Sequence, residues 1–298
     1  MQDNNNHLIA QVIANLIEQN CYRILDFTKN TILNKINELQ VKFGTPFQTY
    51  LIDAYDNYKM IKTLLYRNMP HDLHDIYVPN NLSIQTIFTK NITISSENVE
   101  NLFHYSKYIV LDGVGGIGKS TMMRHFFINA IEKTNYIPIL IELRCFNNIT
   151  PISLKAVIQN SLQKFNCYID QYTLDLALRA GCFLFLFDGF DEIDLNRENL
   201  ATCIIDFSHE YKKNCYIVSS RPIVSYDFTY WNKFVTLQVM PLEYYQAHDL
   251  VQKCDYDLKI KEDFLYQFKA LYEKHTSFAS NPLLLQNLLM TFTDYAEI

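Results

Sequence analysis

"VLDGVGGIGKSTMMRHFF", Val110–Phe127, decides how the rest of the chain is read. The chain holds seven glycines in 298 residues, and Gly113, Gly115, Gly116 and Gly118 fall within six positions of one another. The stretch fits G-x-x-x-x-G-K-[ST]. An apolar strand, Tyr108–Leu111, precedes it and a helical pattern near 120–132 follows, which is the context a phosphate loop requires. Glycines let successive N–H groups turn inward around a polyphosphate, and the helix start adds its positive dipole end. The ammonium of Lys119 then reaches the β and γ phosphates, Ser120 holds magnesium, and Thr121 helps at the α phosphate.

Outward from this loop, strands and helices alternate. "IPILIEL" (137–143), "CFLFLF" (182–187), "CYIVS" (215–219) and "FVTLQV" (234–239) read as strands, separated by helical stretches near 151–180 and 197–212. Short, uninterrupted apolar strands between helices describe a parallel sheet buried on both faces. The expected fold is therefore an α/β P-loop NTPase core over residues 76–240. "DIYVPNNLSIQTIFT" (75–89) reads as extended, because Pro79 pushes Val78 out of α geometry. Before it, apolar residues recur at helical spacing over 8–40 and again from Pro46 to Leu65, predicting a helical adaptor or cap over 1–75. After Pro241 the pattern is helical to Ile298 and still apolar there, so the lobe over 241–298 is expected to be incomplete.

Two further strand ends carry chemistry. In "CFLFLFDGFDEID", Asp188 ends an apolar run, where its carboxylate leaves the sheet edge beside the phosphate loop and can coordinate magnesium. Gly189 leaves space next to the phosphates. Asp191 and Glu192 are candidates to orient or activate a water, with helix capping as the alternative reading. In "YIVSSRPIV", Arg221 ends another buried strand, where a planar guanidinium can read a γ phosphate; the alternative is an ion pair with the acidic run near Asp188. "HDLHD" (71–75) offers two histidines at helical spacing without a third ligand, so it reads as a polar turn. Arg144 could approach phosphates, but reads first as a partner of Glu142 or a neighbour.

Together these elements resemble the NACHT branch of the STAND NTPases, relatives of AAA+ proteins, over residues 75–292. The small residue after the magnesium Asp, with two acids three and four positions on in "LFLFDGFDE", is similar to that branch's signature. The resemblance implies that "DIYVP" brings Tyr77, Val78 and Pro79 near the adenine, that "SSRP" assigns Arg221 to γ-phosphate sensing, and that Pro282 of "SNPLLLQNLL" packs on the base. It also implies ATP or dATP (and ADP) with magnesium, slow hydrolysis, and nucleotide-controlled homo-oligomerisation in immune-type or anti-phage signalling. The sequence shows no winged helix and no ligand-sensing repeat, and it names neither trigger nor effector.

Composition narrows the alternatives. A net charge of −6 and a pI near 5.7 give no sign of a nucleic-acid or anionic-membrane surface. Seven cysteines without a C-x-x-C pair, no signal-peptide pattern and no apolar run of membrane length predict a cytoplasmic protein with reduced thiols. A small-molecule kinase or a nucleic-acid-stimulated ATPase stays open as the alternative to a switch.

Overall fold

The computed structural model describes residues 45–63, 65, 69–84, 92–149, 152–194, 196–222 and 228–296. The helical pattern expected over 8–40 lies outside the described residues. Five strands, β5 (Tyr108–Asp112), β6 (Ile137–Glu142), β7 (Phe183–Asp188), β8 (Cys215–Ser220) and β9 (Val235–Val239), are mutually parallel. The aromatic and β-branched residues of β7 and β8 are buried, as are most of those in β5 and β6, because helices cover the sheet; the outer β9 leaves Thr236 exposed.

The sheet is mixed rather than purely parallel. Its order is β4-β3-β9-β5-β8-β7-β6, and β3 (Asn81–Ile84) and β4 (Ile92–Ser95) form an antiparallel pair on the β9 edge. Antiparallel neighbours need no crossover helix, so the chain leaving Pro79 can add two strands within a few residues. β5 lies between β9 and β8, with β7 next, so the ends of β5, β7 and β8 open at one edge of the sheet.

The first described helix, α1 (Thr45–Tyr58), stops short of the Leu65 expected from its apolar pattern. Met60–Ile61 (β1) turns instead to pair with His71–Asp72 (β2), and Leu73–Ile76 (α2) follows, with Asp72 accepting from the His74 N–H. The expected polar turn is thus a short capped helix. α1 shares the hydrophobic core of the sheet: Phe47 meets Phe183 at 5.8 Å, Tyr58 meets Phe127 at 4.6 Å, and the Tyr50 hydroxyl donates to the Pro138 carbonyl at 2.8 Å. Residues 45–61, grouped by sequence with an N-terminal unit, are packed as part of the α/β layer.

After β4 come α3 (Val99–Phe103) and α4 (Lys119–Lys133), the helix that follows the phosphate loop. The single helical stretch expected over 151–180 is two helices, α5 (Leu154–Gln163) and α6 (Gln171–Ala180). Asn166 adopts φ 59°, and Asp170 restarts the chain by accepting from the Thr173 N–H at 2.7 Å. α7 (Arg197–Glu210) leads to β8. Beyond β9, α8 (Tyr244–Lys253), α9 (Leu258–Lys274), α10 (Thr276–Ala279) and α11 (Pro282–Ala296) enclose a second apolar core, which Val78 joins from the other side of the sequence. No helix among the described residues is long and apolar enough to cross a membrane.

Candidate nucleotide-binding site

The phosphate loop leaves β5 at Gly113 and enters α4 at Lys119. Gly116 (φ 77°) and Gly118 (φ 95°) occupy the left-handed region that side chains disfavour, and a Cβ on Gly118 would meet nothing within 4 Å. Among the described residues, the N–H groups of Gly116, Gly118, Lys119 and Ser120 make no hydrogen bond. This row of free donors at a helix start fits an anion. Lys119 is buried and folds back on the loop, donating to the Gly113 carbonyl at 2.5 Å and the Val114 carbonyl at 3.2 Å. Burial pushes its pKa down, opposed by Asp191 and Asp188. Asp112, just before the loop, is pushed up by burial, and its Oδ1 is buried without a partner.

A cavity of about 300 Å³ opens beside the loop, at the lower end of the size range of small-molecule sites. Gly116, Gly118, Lys119, Ser120 and Thr121 line it from the loop, and Asp188, Asp191, Glu192 and Arg221 from the neighbouring strand ends. Its apolar end is walled by Ile76, Tyr77, Val78, Leu242, Leu250 and Pro282. The sites expected from three separate stretches of sequence therefore meet around one space.

Three expected residues do not line that space. Gly113 lies beneath the loop, where a Cβ would come within 3.1 Å of Ile117 and Val239. Gly115 faces Arg221, whose guanidinium atoms lie 3.4 to 3.7 Å from the place a Cβ would take. Pro79 is beside the cavity and not in its wall; its carbonyl accepts from Gln246 Nε2 at 2.7 Å. Tyr77 does line the cavity, but its ring stacks on His125 at 4.2 Å and its hydroxyl meets Ser96 Oγ at 3.2 Å.

Asp188 is held by a donor on the adjacent strand: Ser219 Oγ–H donates to its carboxylate and accepts from the Gly189 N–H at 2.9 Å. Arg221 donates to Asp191 twice, through Nε at 3.1 Å and its backbone N–H at 3.0 Å. The ion pair weighed as an alternative is present, with Asp191 as its partner, and it places the guanidinium against the phosphate loop. Glu192 is exposed and its carboxylate lies over Gly189, which adopts φ 82°. Arg144 pairs with Glu142, and neither lines the cavity.

Magnesium fits Ser120 and Asp188 only as an ion completed by phosphate oxygens and water, since the described residues include no group of three or more His, Cys, Asp or Glu able to hold a metal. Sequence reading missed the residues that brace this site. Asn147 donates to the Glu192 carbonyl at 2.9 Å and accepts from the Asp194 N–H at 3.1 Å, and Arg197 donates to the carbonyls of Asp191 (3.3 Å) and Ile193 (2.5 Å). Their partners are distant in sequence or are backbone atoms, so no spacing announces them.

Solved structures with similar chain paths include the Holliday junction branch migration motor RuvB of Thermotoga maritima (13% identity, TM-score 0.34, 64% of this chain and 55% of that one). Others are a Signal Transduction ATPase with Numerous Domains carrying a tetratricopeptide repeat sensor from Pyrococcus horikoshii (14%, 0.36, 63% and 28%) and PCH-2 of C. elegans (9%, 0.37, 68% and 66%). The chain spans 28% to 66% of the length of these three proteins. No curated protein matches it significantly. The NACHT domain family model matches residues 107–255, which run from the strand before the phosphate loop through Asp188 and Arg221 to just past α8. That match covers half of the chain and all of its phosphate-side residues, and the chain belongs to the NACHT family of nucleotide-binding P-loop NTPases.

Proposed function

We propose that this protein is an ATP-binding switch that hydrolyses its nucleotide slowly, changes its self-association with nucleotide state, and serves immune-type or anti-phage defence. The observation that supports this reading best is the position of Arg221, with its guanidinium between the Asp191 carboxylate and Gly115 of the phosphate loop. A group in that place distinguishes a triphosphate from a diphosphate by changing partners.

In this reading Lys119 leaves the carbonyls of Gly113 and Val114 for the β and γ phosphates, and the free loop N–H groups hold the β phosphate. Ser120 and Asp188 would hold magnesium, with Ser219 fixing the carboxylate; a bound ion would supply charge neutralisation for the phosphates. Glu192, exposed at the cavity mouth, orients the attacking water, and Asp191 assists once Arg221 has moved to the γ phosphate. Val78 and Pro282 flank the base. Reversing a two-state population from 1:99 to 99:1 needs about 5.5 kcal/mol of differential binding. Charge-assisted contacts from Lys119, the magnesium site and Arg221, at about 1.5–3 kcal/mol each, reach that sum.

The test compares molar mass, bound nucleotide and phosphate release with ADP, ATP and a β,γ-imido analogue. A larger species with the triphosphates and turnover far below one per second is expected. Fast turnover stimulated by a small acceptor or by nucleic acid, without a change of mass, overturns the switch. The defence role is tested by phage plaque counts on bacteria expressing wild type or Lys119→Ala. Equal counts refute it.

A further inference from the structure

The carbonyls of Gly113 to Gly116 are all engaged, whereas among the described residues the N–H groups of Gly116, Gly118, Lys119 and Ser120 are free. Gly113 and Val114 give theirs to Lys119. The next two go to the C-terminal lobe: Asn281 Nδ2 donates to the Gly115 carbonyl at 3.0 Å, and the Leu283 N–H to the Gly116 carbonyl at 3.3 Å. Asn281 is buried at 7% exposure, and its Oδ1 caps α11, accepting from the N–H groups of Leu283 (3.1 Å) and Leu284 (3.3 Å). The contact is close enough that a Cβ on Gly116 would lie 2.9 Å from Asn281 Oδ1 and 3.0 Å from Leu283 Cβ. Asn281 is in turn tied into the lobe, because the adjacent Ser280 carbonyl accepts from the Leu242 N–H at 2.8 Å and the Leu242 carbonyl accepts from the Tyr272 hydroxyl at 2.7 Å.

We infer that Asn281 is a positioning residue that couples nucleotide retention to lobe docking, by holding the phosphate loop from its carbonyl side so that its N–H groups stay aimed at the phosphates. This rests on the nucleotide-binding reading of the loop. A peptide unit that turns its carbonyl outward turns its N–H inward, so the bond from Asn281 to the Gly115 carbonyl fixes the orientation of the free Gly116 N–H, while the Leu283 bond steadies the next peptide, whose Ile117 N–H donates to the Val114 carbonyl at 3.5 Å. Pro282, Leu283 and Gln286, on the same helix, wall that cavity. Release of the nucleotide and withdrawal of α11 therefore break the same contacts, and each opposes the other.

Two variants isolate the bond to Gly115 from the cap. Asn281→Asp keeps the acceptor for Leu283 and Leu284 but replaces the donor with an oxygen that repels the Gly115 carbonyl. Asn281→Ser keeps a shorter cap acceptor without adding charge. The probe is a fluorescent ADP, with dissociation followed by stopped flow, deuterium uptake of residues 282–296 with and without ADP, and melting of the nucleotide-free protein. Both variants are expected to release ADP about tenfold faster, the equivalent of one hydrogen bond at about 1.4 kcal/mol. Residues 282–296 should lose their ADP-dependent protection, with melting within about 3 °C of wild type. Release within twofold of wild type in either variant overturns the inference, as does a fall in melting beyond about 5 °C in both, which makes Asn281 simply part of the lobe. If wild type itself retains no ADP, the nucleotide reading fails and this inference with it. If wild type binds and the variants release at its rate, only the role of Asn281 is lost.

Discussion

In the proposed switch Arg221 gives up Asp191 to reach the γ phosphate, and that exchange has a calculable size. A guanidinium hydrogen bond to the γ phosphate contributes about 1.5–3 kcal/mol. Against it stands the pair with Asp191, in which the Arg221 side chain is 58% exposed and Asp191 15%. At that exposure the pair is screened and worth about 0.5–1 kcal/mol. The net preference for triphosphate over diphosphate through Arg221 is then about 1–2 kcal/mol, or about 5- to 30-fold. Displacing a fluorescent nucleotide with ADP and with a β,γ-imido analogue measures the ratio directly. Arg221→Ala should lower that ratio about 5- to 30-fold, and Asp191→Asn, which removes the competitor, should raise it about threefold. The double variant separates competition from mere loss of negative charge. If Asp191→Asn raises triphosphate affinity equally with and without Arg221, the two residues are not exchanging partners and the reasoning fails.

Three further outcomes are expected. Lys119→Ala should weaken nucleotide binding at least about 100-fold, as the loss of a buried charge-assisted contact requires; unchanged affinity by calorimetry would remove the site from this loop. Asn147→Ala should slow single-turnover hydrolysis about tenfold by loosening the 191–194 turn while leaving nucleotide affinity within twofold, and an affinity that falls with the rate would contradict a purely positioning role. His125 donates Nε2–H to the Glu97 carbonyl at 2.8 Å, its Nδ1 is buried without a partner, and burial pushes its pKa down to about 4. Below pH 6.5 the unfolded chain takes up a proton that the fold refuses, so stability present above 6.5 is lost as pH falls toward 4. The loss reaches about 3 kcal/mol. Urea unfolding of wild type and His125→Gln across that window should show the slope only in wild type, and parallel curves refute the assignment.

The elements that sequence reading placed well are those whose signal is local. The five parallel strands lie within one or two residues of their expected bounds, since an apolar run between helices has few other uses. The loop itself is spelled by Gly113 to Ser120. What escaped depends on partners remote in the chain. The β3–β4 pair hides in a stretch read only as extended, because pairing direction is not encoded in composition. The break between α5 and α6 turns on Asn166 in the left-handed region and Asp170 as a cap, two polar residues that also fit an exposed helix face. α1 was grouped with a separate unit because its apolar stripe says that it packs, not against what. Of Tyr77, Val78 and Pro79, which resemblance carried together toward the base, the first two line the apolar end of the cavity and the proline lies beside it, its carbonyl occupied by Gln246.

The segment around Pro79 has a mechanical meaning. Lys253 donates to the Tyr77 carbonyl at 2.9 Å, Gln246 to the Pro79 carbonyl, and Asn81 Nδ2 to Glu243 at 2.9 Å, so three successive points of this segment are fastened to α8 or its cap. The walls at the apolar end of the cavity, Val78, Leu242, Leu250 and Pro282, thus belong to or are strapped to one lobe, whereas Asp188 and Arg221 stand on the sheet. A ligand spanning the space would touch the lobe and its straps at one end and the sheet at the other, so it would bridge two parts of the chain that are far apart in sequence.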